Sequence, residues 1–455
     1  MDQSIESPHK KRETRITRIT IHGLFGIFDH RIPLNQDERI TIIHGPNGVG
    51  KTTILKLLGD LFSCRFSALR TTPYRKLTVD FSPQGTLSIA RKPLKSHMSL
   101  VFSFKEGKRT KTHDLHPSVE VSAFRHHYPM SVIEEYVSSL ERVGRERWID
   151  RTTGETLSLE EVLYNYWDVL PIEMARGVSD LPEWLIVLLG ALPTHFIQTQ
   201  RLFAAPAEET RERGRLYERR AIPQSTSTVE KYSSDMARRI QDALRESGAK
   251  AASLDRTFPH RLLGGKLSQD ASEGYIRAEY RKQTAYRKRL MDAGLIDPDP
   301  EFALPQSGLS VNDRKVLWYY IKDVNDKLSV FDQLLQKVEL FKDIINKRFL
   351  YKTFGVGKEK GFIFTTSKGD TLPLKALSSG EQHEIVLSYE LLFQVQPKSL
   401  ILIDEPELSL HVTWQHKFLE DIKRISELAN LDFLIATHSP SIIHNRRDLM
   451  VRLGE

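Results

Sequence analysis

One cysteine, Cys64, stands in 455 residues. A single thiol excludes an intramolecular disulfide and a cysteine-built zinc site, and it reads as a small buried hydrophobe. Long apolar runs are also missing. The longest, Trp184 to Leu192, falls far short of the roughly 20 residues that cross a bilayer. The opening MDQSIESPHKKRETR has no apolar centre of the kind a secretory leader carries. These absences predict a cytoplasmic chain that does not itself enter a membrane. No HExxH, no Ser-His-Asp set and no His/Cys cluster is present, and no internal repeat or extended low-complexity tract is found. Charge excess is small as well. Against 66 basic residues stand 59 acidic ones, for a formal net charge of +7, a weak argument for a nucleic-acid partner. With 40% hydrophobic and 27% charged residues the composition is that of a folded globular chain.

What is present is organised in blocks. Short apolar strands run from Ile16 to Ile21 and from Arg39 to His44, with a turn at Gly23 to Gly26 and a helix from Lys51 to about Leu61. Runs at Lys76–Phe81, Thr86–Ile89 and Leu100–Phe104 predict an antiparallel meander. Helix is expected over Leu157–Leu192, then a short strand at His195–Thr199. The stretch Ala204–Gln306 is charge-dense with no sustained apolar pattern and reads as an insertion. Ile321, Val324, Leu328, Phe331, Leu335 and Val338 then recur at spacings of three and four, with Leu317 and Phe341 extending the seam. That period fits an amphipathic helix lying on its own domain or a short coiled-coil-like arm. The expected division is 1–203 for an N-terminal ATPase lobe with a β accessory, 204–350 for the helical insertion and arm, and 351–455 for a C-terminal ATPase lobe.

Gly45-Pro46-Asn47-Gly48-Val49-Gly50-Lys51-Thr52 fits G-x-x-x-x-G-K-[ST] between a strand and a helix. Backbone N–H groups of Gly48 to Thr52, with Thr53 following, converge at a helix start where phosphate charge is favoured. Lys51 is suited to the β/γ-phosphates of ATP and the Thr52 hydroxyl to Mg²⁺. Ser399-Leu-Ile-Leu-Ile-Asp404-Glu405 is a buried strand ending in two carboxylates. Asp404 is suited to Mg²⁺ through water, and Glu405 to polarising the attacking water.

Leu377-Ser378-Ser379-Gly380-Glu381-Gln382 precedes a helix, and with the two motifs above it resembles the signature of ABC-type ATPases. The variant is the one seen in structural-maintenance-of-chromosomes proteins and their double-strand-break repair relatives. The fold this resemblance implies is α/β, an ABC-type ATPase head combining a mixed P-loop sheet with an antiparallel β subdomain, an inserted helical region and a short arm. It also implies that Ser378, Ser379, Gly380 and Glu381 of one subunit close over the γ-phosphate held by another, in a homodimer or higher homo-oligomer. Ser379 stands where the family more often has glycine. Glu407-Leu-Ser409-Leu-His411 corresponds to the D-loop, with Ser409 and His411 at the interface. Ala436-Thr-His438 corresponds to the switch histidine. In Phe196-Ile-Gln198-Thr-Gln200-Arg201 strand alternation turns Gln198 and Gln200 to one face, and Gln200, at the strand end, is preferred as the Q-loop glutamine.

The wording PELSLH, ATHSP and FIQTQRL is similar to ATPases related to the overcoming-lysogenisation-defect nucleases, including stand-alone ATPases of antiviral systems such as PARIS, Septu and some retrons. That likeness implies hydrolysis of ATP to ADP and phosphate, coupled to a defence role. Because the chain ends soon after His438, without the acidic TOPRIM domain of those nucleases, the effector is expected on a separate polypeptide. The alternatives are a DNA-repair or chromosome-associated ATPase, and a nucleotide clamp with negligible turnover. A basic-aromatic stretch, Tyr275 to Arg289, reads as a solvated helix face or as a nucleic-acid contact through Arg287, Lys288 and Arg289.

Overall fold

Period-two alternation makes strands of the N-terminal segment. The computed structural model describes residues 14–83, 85–93, 98–115, 124–125, 128–137, 139–151, 154–167, 169–170, 181–198, 227–265, 271–298, 300, 303–306, 308–408 and 410–454. Within these the chain runs β1 (Arg15–Leu24), β2 (Phe28–Pro33), β3 (Ile40–His44), α1 (Lys51–Phe62), α2 (Ser67–Thr71), β4 (Lys76–Ser82), β5 (Gly85–Pro93), β6 (Met98–Glu106) and β7 (Arg109–Leu115). Six of these strands form an antiparallel sheet in the order β2-β1-β4-β5-β6-β7. Ile19, Ile21, Leu77, Val79, Leu87, Ile89 and Phe102 line its buried face. The two strands that the sequence pattern missed, β2 and β7, are the sheet's edges. Edge strands are more polar and carry little alternation, which is the physical reason they were not seen.

A small antiparallel meander of β8 (Leu140–Gly144), β9 (Arg147–Asp150) and β10 (Thr156–Ser158) packs with α3 (Ser131–Tyr136) and α4 (Leu159–Tyr166) around fully buried Trp148. Helix α5 (Glu183–Gly190) and strand β11 (Thr194–Gln198) come next. The long helix expected over Leu157–Leu192 is therefore two short ones among the described residues. Its start is sharp because Ser158 and Glu161 form a capping box on α4.

The chain forms two compact units, Met1–Gln200 with Val395–Glu455, and Arg201–Gln394. The second begins, among its described residues, with α6 (Thr228–Gly264), 37 residues started by a Ser227/Glu230 capping box. Only its first turns are buried, through Val229, Ser233, Met236, Ala237 and Ile240. A helix whose remaining faces are polar shows no hydrophobic stripe, so the segment looked featureless in sequence. Next come α7 (Glu273–Ala293), α8 (Val311–Leu328) and α9 (Asp332–Arg348). The heptad-like seam runs along α8 and α9 but is broken by a 3-10 turn at Ser329–Phe331. Phe341 packs against Phe354, Phe362, Tyr389 and Phe393 of the same unit, so this end of the seam is used inside its own core. The hairpin of β12 (Lys352–Gly357) and β13 (Gly361–Thr366), with β14 (Thr371–Leu372), leads into α10 (Ser379–Tyr389). Residues 351–394, expected with the C-terminal ATPase lobe, thus lie in this second unit.

The first unit is completed by β15 (Leu400–Asp404), α11 (Val412–Ala429), β16 (Asp432–Ala436), α12 (Pro440–Ile443) and β17 (Met450–Arg452). These strands join β3 and β11 in a parallel sheet ordered β11-β15-β16-β3-β17. All five residues of β16 and the first four of β15 are buried, as expected for central parallel strands. Register places Gln198 beside Asp404 and Asp404 beside Ala436, so three strand ends are level. The loops leaving β3, β15 and β16 therefore emerge at one edge of the sheet.

Candidate nucleotide site

The loop after β3 wraps tightly because three glycines permit it. Gly50 has φ +95°, and a Cβ there would lie 2.5 Å from Leu24 Cδ2; a Cβ on Gly45 would lie 2.7 Å from the Leu453 carbonyl oxygen. Gly48 is also in the left-handed region, at φ +85°. From the far side, buried His30 contacts the Val49 carbonyl through Nε2 at 2.8 Å. Lys51 opens α1 and is buried, its Nζ donating to the Gly45 and Pro46 carbonyls at 2.9 and 3.0 Å. Burial pushes its pKa below the usual lysine value, against the pull of Glu405, Asp404 and Glu407.

The Thr52 hydroxyl donates to Asp404 Oδ1 at 3.0 Å across the strand ends. Asp404 has its pKa raised by burial, with Glu405 adding to the rise and Thr52, Lys56 and Lys51 opposing it. Glu405, the next residue, sits at φ +47°, a left-handed conformation costing a non-glycine residue about 1–2 kcal/mol. Its backbone N–H donates to the Ala436 carbonyl at 2.8 Å. His438 Nε2 lies 3.9 Å from Glu405 Oε1. Burial, Lys51 and His44 lower the His438 pKa against the opposing effects of Glu405 and Glu407, which favours the neutral imidazole at physiological pH.

Pattern reading missed Glu407, whose carboxylate accepts from Thr437 Oγ1 at 2.8 Å, His438 N at 2.8 Å and Ser439 N at 3.2 Å. It also missed Gln415 of α11, which accepts from Ser439 Oγ at 2.9 Å and donates to the Glu407 and Leu410 carbonyls. For Glu407 the hints were its place as a third acid just beyond the Asp404-Glu405 pair and at the start of the segment that the resemblance assigns to the D-loop.

Lys51, Thr52, Asp404, Glu405 and His438 are thus brought together, while Gln198 contributes its backbone to the strand beside Asp404. Gln200 and Ser409 lie outside the described residues. His411 is exposed and caps α11, its Nδ1 accepting from Thr413 N at 3.4 Å.

In the second unit Ser378 is the N-cap of α10, in a capping box with Glu381. Lys352 Nζ donates to both Glu381 oxygens at 2.7 and 2.8 Å. Burial raises the Glu381 pKa, but Lys352 and Ser378 outweigh it and the net shift is downward. Ser378 and Ser379 are exposed, so the turn faces outward at a helix N-terminus.

The donor set fits Mg²⁺. Thr52 spends its proton on Asp404 and keeps oxygen lone pairs, and Mg²⁺ needs only one or two protein oxygens beside phosphate and water. Among the described residues no group of three His, Cys, Asp or Glu side chains forms a larger metal cage. No described helix is long and apolar enough to cross a membrane.

The family described as "AAA domain, putative AbiEii toxin, Type IV TA system" matches residues 200–444, and one described as "AAA domain" matches residues 18–166. The first span contains Ser378, Asp404, Glu405 and His438, and the second contains Lys51 and Thr52. The Septu protein PtuA of Bacillus thuringiensis is 48% identical over 48 residues, which are 10% of this chain and 12% of that protein's length. Among solved structures, the Smc head domain of Pyrococcus furiosus with an extended coiled coil, bound to the C-terminal domain of ScpA, aligns over 97% of this chain and 96% of its own. That alignment has 12% identity and a TM-score of 0.35. The SMC head domain of Thermotoga maritima aligns over 94% and 91% at 11% identity, with a TM-score of 0.29.

Proposed function

The chain belongs to the AAA-domain family described as putative AbiEii toxin, type IV TA system, and from that premise we propose that it binds and hydrolyses ATP at a site completed by a second copy. One observation carries the reading: the P-loop hydroxyl of Thr52 is bonded to Asp404, with Glu405 next in the chain and His438 beside it.

In this reading the P-loop N–H groups and Lys51 bind the phosphates, Lys51 exchanging its loop carbonyls for phosphate oxygens. Thr52 and Asp404 hold Mg²⁺, which neutralises phosphate charge when bound. Glu405 orients water and takes its proton as the oxygen attacks the γ-phosphorus, and ADP leaves. Neutral His438 is placed to donate a hydrogen bond towards the transferred group. The Ser378–Glu381 turn of a second copy supplies a helix N-terminus to the same phosphate, which makes the working form a homodimer or higher homo-oligomer.

The biological role we infer is control of a separate effector in a bacterial antiviral system. Support comes from the short likeness to Septu PtuA. The test is phosphate release by the purified protein, with Lys51→Ala as control. Lys51 stands to lose two charge-assisted bonds to phosphate, so the variant should bind ATP at least about a hundredfold more weakly. Unchanged ATP affinity in the variant would sink the assignment.

A second reading, action on nucleic acid, is favoured by a cavity of about 660 Å³ in the second unit lined by Arg277, Tyr280, Arg281, Thr284, Lys288 and Leu304. Arg289, part of the basic stretch, is instead engaged by Glu339 through two bonds of 2.9 and 2.6 Å. Arg277 is paired with Glu273 at 2.9 Å, so the lining cations suited to a phosphate backbone are Arg281 and Lys288. Stimulation of phosphate release by single-stranded DNA would favour this reading.

A further inference from the structure

Three donors from consecutive residues, Thr437 Oγ1–H, His438 N–H and Ser439 N–H, converge on the Glu407 carboxylate. They lie just beyond the end of β16, where Thr437 N still donates to the Ile43 carbonyl of β3 at 3.2 Å while the N–H groups of His438 and Ser439 turn to Glu407. A buried or half-buried N–H there needs another acceptor, and an ionised carboxylate is the strongest available. Thr437 is fully buried, so its hydroxyl depends on this bond. Glu407 is itself held from behind by the 3-10 turn Pro406–Leu408, in which Leu408 N donates to the Glu405 carbonyl at 3.1 Å. Gln415, 8% exposed, closes the arrangement by joining Ser439 Oγ to the Glu407 and Leu410 carbonyls.

We propose that Glu407 is a positioning residue for the ATPase step, acting through His438: its carboxylate holds the 437–439 turn so that the imidazole is presented beside Glu405. This rests on the ATPase reading above. Both Glu407 oxygens are engaged by the 437–439 turn. The carboxylate fixes the peptide on either side of His438, and it adds to the backbone bond from Glu405 N to Ala436 O, which ties the loop after β15 to the end of β16. Gln415 carries the same restraint to Leu410, so the imidazole position depends on Glu407 and Leu410 of the segment that the resemblance assigns to the D-loop.

The experiment uses the full chain and three variants: Glu407→Leu, which removes the acceptor, Glu407→Gln, which keeps a carbonyl acceptor, and Gln415→Leu. Phosphate release is measured against ATP concentration, and amide hydrogen exchange is followed at His438, Ser439, Gly50 and Lys51. In Glu407→Leu, kcat should fall between about tenfold and a hundredfold, the scale of a small misplacement of a catalytic group, with KM for ATP within about threefold. Glu407→Gln should recover most of that loss, and Gln415→Leu should show a smaller one. Exchange at His438 and Ser439 should accelerate in Glu407→Leu while the P-loop amides stay protected.

A Glu407→Leu protein with parental kcat, or with unchanged exchange at His438 and Ser439, overturns the proposal. So does a loss of protection that spreads equally to Gly50 and Lys51, which would mark a general structural role. If the parent itself releases no phosphate, the ATPase reading fails and the role assigned to Glu407 fails with it. The exchange data then report separately whether the clamp exists.

Discussion

Two histidines, each near a glutamate, show how differently the two units use ionisable groups. At the strand ends of the first unit, His438 is partly exposed and lies 3.9 Å from Glu405, in the loops that leave β15 and β16. On α10 of the second unit, His383 is 2% exposed and is followed by Glu384, 1% exposed and ion-paired with buried Arg348. The more deeply buried pair is the one with no access to a ligand. Burial of charge therefore does not mark the site here; position at the common edge of a parallel sheet does.

The sharpest way to break that contrast is at Glu405. Glu405→Gln should keep ATP and Mg²⁺ binding and lose about 10²- to 10⁴-fold in turnover, the usual contribution of a positioned general base. With hydrolysis blocked, ATP should hold two copies together. A cross-link between probes near Thr52 of one copy and Ser379 of the other should then accumulate with ATP. Adding Ser378→Arg should abolish it, by placing bulk and an unpaired cation in the seam. Parental turnover in Glu405→Gln, or probes that never approach with ATP, would remove the ABC-type mechanism.

In the second unit the corresponding change is expected to act on stability. Glu384→Gln leaves the Arg348 charge buried without its counter-ion and should cost about 3–5 kcal/mol in urea unfolding. The double change Arg348→Met with Glu384→Leu should cost much less, since no charge is then buried. Equal losses for single and double variants would show that packing, and not charge, dominates there.

His383 gives a pH test of the same unit. Burial pushes its pKa from 6.5 down to about 4, against the opposing effect of Glu390. Because the folded value lies below the unfolded one, the unfolded chain takes up the proton first. Stability from this group is full above pH 6.5 and declines until about pH 4, by roughly 3 kcal/mol in all. Unfolding measured between pH 7.5 and 4.5 should show that slope, and His383→Leu should flatten it. An unchanged slope would assign the acid sensitivity to other groups.

The smallest expected effect concerns α7. If Arg281 and Lys288 meet a single-stranded backbone, replacing both with serine should reduce the slope of log affinity against log salt by about 1.4, at roughly 0.7 per phosphate. Replacing Arg289, already engaged by Glu339, should change the slope little. If neither change alters it, the face is simply solvated.

Much of the nucleotide site was legible because its motifs are local. A strand, a glycine loop and a helix lie consecutively around Lys51, and an apolar strand ends directly on Asp404 and Glu405, so residue type and spacing suffice. The edge strands β2 and β7 and the long helix α6 were less legible, since each buries too little to leave a clear apolar period.

By itself, then, the sequence determined the parallel strands, the phosphate loop and the order of the acidic and imidazole groups, because each arises from contacts within a few residues. Only the tertiary structure decided that Glu407 grips the turn around His438, that His30 props Val49 and that Arg348 meets Glu384. The reason is physical. Two of those contacts end on backbone N–H or carbonyl groups, which every non-proline residue carries, and all three join positions far apart in the chain. No residue type or period records them until the sheet and helices have brought the partners together.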